Sequence, residues 1–547
     1  MKVDMSEEKK TIAIIGAGLA GLSAGVYGQK AGFNTVIYEK NAAPGGCCFS
    51  WKRGDYIMDN CIHWLVGTRP GTQNYKMWTE LGGLSEDIEI YHRDSFYYSE
   101  LDGQIITLWR DIERTRKDML ELSPEDAEEI NRFIDCAAVC QDLLNFAEDF
   151  SEDTDVLEAL KCKMGQLSVM KHVLYYSNIT LEEWAAKFKH PLLQKVILDY
   201  SSKDYEGLWL ILGYIMFSSG DGDVPVGGSG AFSKRIADNY ASLGGEIKYG
   251  YEAEEIVTRQ NDSFIGDDSA IGIKFKNGSY EEADYIICAC APTQTFGRLL
   301  DMKYAPSALE KLNDESKTPT YSSFHCAFSV DGEMEELNDL MYFQCEALDV
   351  GCQVYERIGV KNYRKYGPTM APAGQTLIQC SFIQYPEDFR FWTRLRQNKK
   401  QYDLHKRYIV DAVLDRLETR FPEYRGKIHP VDSWTPATYS RYLNSHNGLY
   451  MRYITKPINT NIVLSSEVKD LKNVFLAGHV LIYPGGTPVA AITGRMAIGK
   501  VENAEKTLMG KIPVVNKIMD AQIVEKIKEA PIVGKIMDSK VFNPKVD

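Results

Sequence analysis

The chain has 547 residues, of which 44% are hydrophobic and 11% aromatic, and its formal net charge is −14 at pH 7. This length exceeds what one hydrophobic core can serve, so we expect about two to four folding units. The negative charge argues against a nucleic-acid partner.

The N-terminus, the apolar runs and the cysteines predict where the protein works. The first residues, MKVDMSEEKK, lack the apolar segment of a secretory signal. The longest apolar run, Leu208–Phe217, is shorter than the ~20 residues that span a bilayer. The 12 cysteines lack CxxC spacing, which favours reduced thiols over disulfides or a metal site. We therefore expect a cytoplasmic protein without a metal, and we leave peripheral attachment to a membrane open.

The first predicted unit is a strand, turn, helix and strand within Thr11–Gly46. An apolar run, Ile12–Ile15, leads into a G-x-G-x-x-G pattern, and a helix-length segment then leads to a second apolar run that ends at Glu39. This order is typical of the first βαβ unit of a dinucleotide-binding domain.

The glycines and the acidic residue of this unit have separate roles. Gly16 permits a tight turn, Gly18 lets the backbone approach a pyrophosphate, and Gly21 lets the helix pack closely on the strand. The N–H groups and the dipole of the helix N-terminus favour the anion. Glu39 lies 18 positions beyond Gly21, near the usual place of the acid that accepts hydrogen bonds from a ribose.

Loops and helices are predicted after this unit. The stretch CCFSWKRGDYIMDNCIHWLVGT, residues 47–68, mixes Gly, Asp and aromatic residues and indicates loop and short strands. Between residues 107 and 205 the signals are helical. Ser123 and Pro124 form a helix start, and Thr180 with Glu183 forms a capping box. We expect this block to be mostly helical.

The chain then returns to the nucleotide-binding sheet. A Gly-rich turn and a helix follow Asp223, and Asn277-Gly278 predicts a hairpin turn between two alternating runs. The apolar run Tyr285–Ala291 is typical of a buried strand that joins the first sheet. Residues 473–501 repeat the order of strand, glycine turn and helix, so the nucleotide domain is predicted to be discontinuous.

A different pattern of strands and helices, rich in Tyr, Phe and Trp, lies between these segments. The runs SSFHCAFSV and QTLIQCSFIQY are strand candidates, and a helix is predicted over Lys400–Arg420. The predicted class is therefore α/β, a discontinuous Rossmann-like nucleotide-binding domain with an inserted mixed α+β substrate domain and a helical lid. The predicted division is 9–106, 223–300 and 465–505 for the nucleotide-binding segments, 107–222 for the helical lid, 301–464 for the substrate domain and 506–547 for a helical tail.

These motifs resemble those of a known superfamily. The pattern G-x-G-x-x-G, Glu39 and Gly45-Gly46 resembles the N-terminal fingerprint of flavoproteins with two dinucleotide-binding domains, in the amine oxidase superfamily. Residues 223–291 and 473–501 resemble the branch that contains phytoene desaturases, carotenoid isomerases and retinol saturases. The stretch GGCCFSWKRGDYIMDNCIHWLVG is similar to retinol saturases, including Cys47-Cys48 and Ile62-His63.

The resemblance implies bound FAD and a set of residues around it. It places Gly16, Gly18 and Gly21 at the pyrophosphate, Glu39 at the adenosine ribose, Gly45 and Gly46 near the phosphates, Ala253 at the adenine, Gly478 at the diphosphate or ribitol, and Gly485, Gly486, Thr487, Pro488 and Ala491 beside the isoalloxazine. One departure is Cys47, which stands where the desaturases commonly have arginine.

The function implied is oxidoreduction or isomerisation of C=C bonds in a lipophilic polyene, isoprenoid, retinoid or unsaturated fatty acid. Flavin supplies the hydride step, and the sequence leaves desaturation, saturation and double-bond isomerisation open. Two alternatives remain. One is a flavin amine oxidase, and the other is a non-catalytic flavoprotein associated with a membrane.

His63 is the predicted catalytic residue, as a proton donor or a substrate contact, because it follows the FAD loop. The alternative is a hydrogen-bonded histidine of the core, and His325 on a predicted strand ranks below His63. We expect Cys47 and Cys48 to act as small apolar side chains rather than as a redox pair.

The C-terminal tail carries a repeat. PVVNKIMD at residues 513–520 recurs as PIVGKIMD at 531–538, and lysines alternate with apolar residues. This pattern is typical of an interfacial membrane helix. The alternative is an amphipathic hairpin that packs on the body or on a partner subunit, so a homo-oligomer is left open.

Overall fold

The computed structural model describes residues 9–148, 167–260, 268–364, 367, 369–453, 464–482 and 485–508. The chain divides into two units, residues 1–497 and 498–547. In the second unit the structure describes the end of one helix, up to residue 508. Both copies of the tail repeat, at 513–520 and 531–538, lie outside the described residues.

Most strands follow one another in runs of three to five, and helices separate these runs. In chain order the strands are β1 Thr11–Ile15, β2 Asn34–Glu39, β3 Ser50–Arg53, β4 Tyr56–Asp59, β5 Leu65–Val66, β6 Ile90–Tyr91, β7 Ser95–Leu101, β8 Gln104–Trp109, β9 Gly222–Pro225, β10 Glu246–Tyr249, β11 Ala253–Arg259, β12 Ser269–Phe275, β13 Tyr280–Glu282, β14 Tyr285–Cys288, β15 Ser322–Asp331, β16 Leu340–Val350, β17 Gln353–Asn362, β18 Gln375–Gln384, β19 Ile428–Trp434 and β20 Val474–Leu476.

The helices concentrate in the block after β8 and again after β18. In chain order they are α1 Leu19–Lys30, α2 Gln73–Leu81, α3 Ile112–Leu122, α4 Ala127–Glu148, α5 Leu167–Ser177, α6 Leu181–Ala185, α7 Pro191–Asp199, α8 Gly207–Ser218, α9 Gly228–Ser242, α10 Ser307–Leu312, α11 Pro386–Arg396, α12 Lys399–Arg420, α13 Pro436–Leu443 and α14 Gly486–Leu508.

A five-stranded parallel sheet has the order β10-β2-β1-β14-β20. Its central strands are apolar runs, and Ile14 lies in register with Ile37 on one side and Ile287 on the other. Such strands are buried on both faces, which favours a parallel sheet covered by helices. Strands from distant parts of the chain thus meet in one sheet, and the predicted α/β class is confirmed.

The predicted hairpin at Asn277-Gly278 joins β12 to β13 in a three-stranded antiparallel sheet with β11. Gly278 has a φ of 86°, a conformation that glycine adopts without strain. This small sheet lies between α9 and β14 in the chain, so it carries the backbone from one part of the nucleotide-binding domain to the other.

A seven-stranded mixed sheet has the order β19-β15-β18-β17-β16-β7-β8. The predicted strands SSFHCAFSV and QTLIQCSFIQY are neighbours in it, with Cys326 opposite Cys380. Strand β7 pairs in parallel with β16, with Tyr98 beside Met341. The sheet therefore includes β7, which the sequence-based division places within nucleotide-binding segment 9–106, and β8, which crosses the predicted boundary after residue 106.

The block after β8 is helical, as its capping signals predict. At the start of α6, Glu183 N donates to Thr180 Oγ1 at 3.1 Å, and Thr180 N donates to Glu183 Oε2 at 2.8 Å. Trp184 of α6 packs edge to face on Phe133 of α4, with ring centroids 5.2 Å apart. These aromatic contacts join the helices into one apolar core beside β7.

Candidate active site

A cavity of about 1310 Å³ opens along the carboxyl ends of the parallel strands. Its wall includes Gly16 after β1, Glu39 at the end of β2, Ala289 after β14 and Gly478 after β20. In open α/β sheets ligands bind outside the carboxyl ends of the strands. The cavity therefore lies where the fold predicts a cofactor.

The first turn of this wall fits glycine alone at two positions. Gly16 has a φ of 104°, and a Cβ there would lie 2.9 Å from Ala289 O. A Cβ on Gly21 would lie 1.9 Å from Gly16 O, so helix α1 can approach β1 because this side chain is absent. At Gly18 the nearest atom to such a Cβ is Gly46 Cα, at the ordinary contact distance of 3.8 Å, and Gly18 itself lines the cavity.

Helix α1 points its N-terminus into the cavity. Gly18 is the N-cap residue, and among the described residues no side chain accepts a hydrogen bond at this cap. Gly45 N donates to Ala17 O at 2.8 Å and holds the loop of Gly45 and Gly46 against the turn. Free backbone N–H groups at a helix N-terminus are suited to an anion such as a pyrophosphate.

The Glu39 side chain is buried beside the same turn. Its Oε2 accepts a hydrogen bond from Ala17 N at 2.8 Å, and its Oε1 accepts from Asn41 N and Asn41 Nδ2, each at 2.8 Å. The carboxylate is thereby held in place at the cavity wall with further lone pairs for a ribose. Ala253, at the start of β11, lines the cavity as well.

The C-terminal motif completes this part of the wall. Gly478, Gly485, Gly486, Thr487 and Pro488 line the cavity. The φ angles of Gly485 and Gly486, 84° and 86°, are ones that favour glycine at the start of α14.

Ala491 has a different position from the predicted one. It is fully buried and is not one of the residues that line the cavity. Its carbonyl oxygen accepts a hydrogen bond from Ser23 Oγ at 2.6 Å, so it joins α14 to α1. Ala491 lies one turn beyond Thr487 on the same side of α14, at the point where the backbone of α14 meets α1.

His63 lies in the cavity wall and has a partner that the sequence analysis missed. Lys361 Nζ donates a hydrogen bond to His63 Nδ1 at 3.2 Å. Burial lowers the pKa of Lys361 to about 7, and burial together with the Lys361 charge lowers the pKa of His63 well below its usual value. His63 is therefore neutral at pH 7 and carries its proton on Nε2. The lysine that follows the short apolar run Ile358–Val360 was the signal that could have identified Lys361.

Asp59 is an anchored carboxylate whose charge acts on this pair. It accepts from Ser229 N at 2.6 Å and from Ser229 Oγ at 2.7 Å, at the N-terminus of α9. Its charge raises the pKa of Lys361 and partly offsets the effect of burial. The Gly-rich turn before α9 is therefore capped by a carboxylate of the protein.

His325, the second histidine candidate, lies in the core. It stacks on Trp434 with ring centroids 4.8 Å apart, and its Nδ1 lies 3.0 Å from Gln379 Nε2. Burial lowers its pKa to about 3. It is not one of the residues that line the cavity, so its contacts are those of a packed core histidine.

The arm of the cavity beyond His63 is largely apolar and aromatic. Helix α8 and the seven-stranded sheet face each other across it. Its apolar lining consists of Trp64, Phe96, Leu198, Trp209, Leu212, Met216, Leu340, Tyr342, Phe382 and Ile383. This wall suits an elongated lipophilic molecule.

Metal ligands and membrane spans are both absent from the described residues. These residues contain no cluster of His, Cys, Asp or Glu that could hold a metal ion. In the part of the chain that the structure describes, the helices are too short or too polar to cross a bilayer.

Relatives extend over nearly the whole chain. The 4,4'-diaponeurosporene oxygenase of Staphylococcus haemolyticus strain JCSC1435 is 24% identical over 534 residues, which cover 91% of this chain and 98% of that protein. Prolycopene isomerase 1 of an Oncidium hybrid cultivar is 22% identical over 536 residues, 94% of this chain and 87% of that protein. Among solved structures, cyclohexylamine oxidase from Brevibacterium oxydans IH-35A superposes with a TM-score of 0.55 at 15% identity, over 91% of this chain and 100% of that one.

A family model also matches most of the chain. The model described as flavin containing amine oxidoreductase matches residues 19–498. The glycine turn, the uncapped helix N-terminus and the buried Glu39 form a cradle that fits the FAD of such proteins. This chain belongs to the flavin-containing amine oxidoreductase family.

Proposed function

We propose that this FAD-dependent enzyme acts on C=C bonds of a lipophilic polyene. The observation that carries the proposal is the continuity of the FAD cradle with an arm lined by apolar and aromatic side chains, including Trp64, Trp209 and Met216. The relatives named for diaponeurosporene and prolycopene chemistry support a polyene as the substrate class.

The chain's own residues hold the cofactor and exclude water. Gly16, Gly18 and the start of α1 would hold the pyrophosphate, Glu39 the adenosine ribose, and Gly485-Gly486 the flavin end. FAD supplies hydride transfer when bound, and the apolar arm would keep the reacting double bond away from solvent.

His63 and Lys361 supply the proton that saturation or isomerisation of a polyene requires. Neutral His63 can donate its Nε2 proton while the Lys361 ammonium transfers a proton to Nδ1 in the same step, so that the ring stays neutral. The pKa of about 7 lets Lys361 take its own proton back near neutral pH. In desaturation the same two residues would accept a proton from the substrate instead of donating one.

A flavin amine oxidase fits this cavity less well. Arg93 lines the wall near Lys361, and its charge lowers the pKa of Lys361. Both cationic groups oppose an incoming ammonium substrate. The likeness to cyclohexylamine oxidase concerns the fold.

The test is an assay of purified holoprotein with polyenes under reducing and oxidising conditions, together with mass spectrometry of lipids from cells with and without the protein. We expect a polyene that changes in mass by two hydrogens or in double-bond geometry. Peroxide release with amines and inertness towards every polyene would refute the proposal.

Two histidine variants test the proposed role of His63. His63→Gln should slow turnover and keep FAD content, whereas His325→Gln should mainly lower the stability of the fold.

We further propose a cytoplasmic enzyme that attaches to a membrane surface through residues 506–547. From residue 500 onward the chain has nine lysines and seven acidic residues, a net charge of +2 against −14 for the whole chain. Lysines between apolar residues suit anionic lipid, and attachment would bring a lipophilic substrate to the cavity.

A further inference from the structure

Three cysteines lie together on the cavity wall. Cys47, Cys48 and Cys61 all line the cavity, and the interaction with Cys61 is the main cause of the raised pKa of both Cys47 and Cys48. None of them is in a disulfide in this structure. Cys61 was not singled out by the sequence analysis, which considered the adjacent pair alone.

The β3–β4 hairpin brings these residues together. Ser50 pairs with Asp59 and Arg53 pairs with Tyr56 in its antiparallel register. The pairing ends at Ser50 and Asp59, and Cys48 and Cys61 each lie two residues beyond it, on the two segments that leave the hairpin. The hairpin thus brings both segments to the wall of the same cavity.

Ser229 and Asn60 hold both sides of the hairpin end. Cys48 Sγ donates to Ser229 O at 3.7 Å, and Ile62 N donates to Ser229 Oγ at 2.7 Å. Asn60 Nδ2 donates to Cys47 O at 3.4 Å. Cys61 thus lies between Asn60, which contacts Cys47, and Ile62, which shares the partner Ser229 with Cys48.

The environment makes the three sulfurs unequal. Hydrogen bonds from Cys47 and Cys48, with the nearby His479 and Lys361, lower the pKa of the Cys61 thiol well below its usual value. Hydrogen bonding to Cys61 and burial raise the pKa of the other two. One thiolate between two thiols is the arrangement that disulfide formation requires.

A metal site does not account for the three thiols, because the described residues hold no metal-binding cluster. Ordinary core packing accounts for a different pair, Cys326 and Cys380. These two are also opposite each other, on β15 and β18, but both are buried in a core and neither lines the cavity. The distinguishing property of the Cys61 cluster is that it faces the cofactor cavity.

We propose that Cys61 and one of the two facing cysteines form a dithiol/disulfide couple that exchanges two electrons with the bound FAD. In the forward direction the Cys61 thiolate and a thiol of Cys47 or Cys48 lose two electrons and one proton. The S–H bond breaks and an S–S bond forms, and bound oxidised FAD would take up the two electrons and that proton to become its reduced anion. In its dithiol form the couple holds two electrons that it can pass to the flavin. The inference rests on FAD and not on the lipid substrate.

A reductive titration of oxidised holoprotein with dithionite, without oxygen or substrate, measures the electron capacity. We expect the wild type to take up about four electrons per FAD and Cys61→Ser about two, because a disulfide accepts two. Cys352→Ser changes an exposed cysteine that does not line the cavity, so it should match the wild type.

Peptide mapping of the same samples reads the thiols directly. Trypsin can cut after Lys52 and Arg53, which separates Cys47-Cys48 from Cys61. After alkylation in denaturant, oxidised wild-type protein should yield the two peptides joined by a disulfide, and fully reduced protein should yield both alkylated. Cys326 and Cys380 should be alkylated in both samples.

Equal electron uptake by wild type and Cys61→Ser, or full alkylation of Cys61 in oxidised holoprotein, would overturn the proposal. If Cys61→Ser fails to fold, mapping of the wild type still decides. Failure of the polyene assay would leave this result unaffected, since the titration contains no lipid.

Discussion

At the scale of single residues, the hydrogen bond between Lys361 and His63 determines how a proton can reach the cavity. Lys361 is 4% exposed, and burial is the main reason that its pKa falls from 10.5 to about 7. Arg93 lowers the pKa further, whereas Asp59 and Asp339 raise it. Both protonation states of Lys361 are therefore populated near neutral pH.

We predict that kcat/KM for proton-requiring turnover falls as the pH rises through about 7. Above that pH Lys361 is neutral and can no longer return a proton to His63. Lys361→Met should lower the rate and remove this limb of the pH profile while FAD absorbance per protein stays constant. If Lys361→Met still shows the fall in kcat/KM above pH 7, that fall belongs to another titrating group.

A second residue-scale prediction concerns Gly21. The added Cβ of Gly21→Ala would lie 1.9 Å from Gly16 O, and neither backbone segment can move without opening the cradle. We expect a loss of about 2 kcal/mol or more in the free energy of unfolding and a lower FAD content.

Gly499→Ala is the matched control, because it is also a helical glycine but its Cβ would have no heavy atom within 4 Å. It should gain up to about 1 kcal/mol in the free energy of unfolding. Urea unfolding and flavin absorbance measure both variants. Full FAD content in Gly21→Ala would contradict the close packing of α1 on β1.

At the scale of elements, a buried ion pair fastens helix α7 to the seven-stranded sheet. Arg357 of β17 donates from Nε to Asp199 Oδ1 at 2.7 Å and from Nη2 to Asp199 Oδ2 at 2.6 Å. Ser99 Oγ of β7 donates to the same carboxylate at 2.7 Å. Asp199 and Arg357 also line the cavity, so this pair holds one wall of the apolar arm.

Arg357→Met should therefore destabilise the protein by about 3–5 kcal/mol, because it leaves a buried carboxylate without its partner. Burial already raises the pKa of Asp199, and loss of the arginine raises it further. The loss of stability should grow as the pH rises, since the variant must then bury a charged Asp199. Thermal unfolding across pH measures this dependence.

Arg390→Met provides the comparison for that variant. Arg390 pairs with Glu315 at 2.8 Å, but the two side chains are 55% and 36% exposed. Its removal should cost less than about 1 kcal/mol. Equal losses for Arg357→Met and Arg390→Met would show that the buried pair does not fasten α7.

At the scale of the whole molecule, the tail and the body are predicted to have separable roles. Deletion of residues 506–547 should reduce binding to anionic liposomes and leave FAD content unchanged, because the FAD cradle is built from residues of the body. Liposome co-sedimentation and flavin absorbance test the two parts. Unchanged liposome binding would favour a tail packed on the body or on a partner subunit.

Sequence alone determined the nucleotide-binding unit and the cofactor. Gly16, Gly18, Gly21 and Glu39 lie within one βαβ unit, where turn geometry and helix packing act over short separations. The helix start at Thr180 and the hairpin at Gly278 follow from local hydrogen bonds in the same way.

Only the tertiary structure decided which distant side chains meet in the cavity. Lys361 is 298 residues from His63 in the chain, and strand β17 brings it there. Ser229 of α9 contacts both Cys48 and Ile62, the neighbour of Cys61, and Ser23 of α1 contacts Ala491 of α14. These contacts depend on how strands pair and how helices rotate as the sheets assemble, and no short stretch of sequence encodes that register.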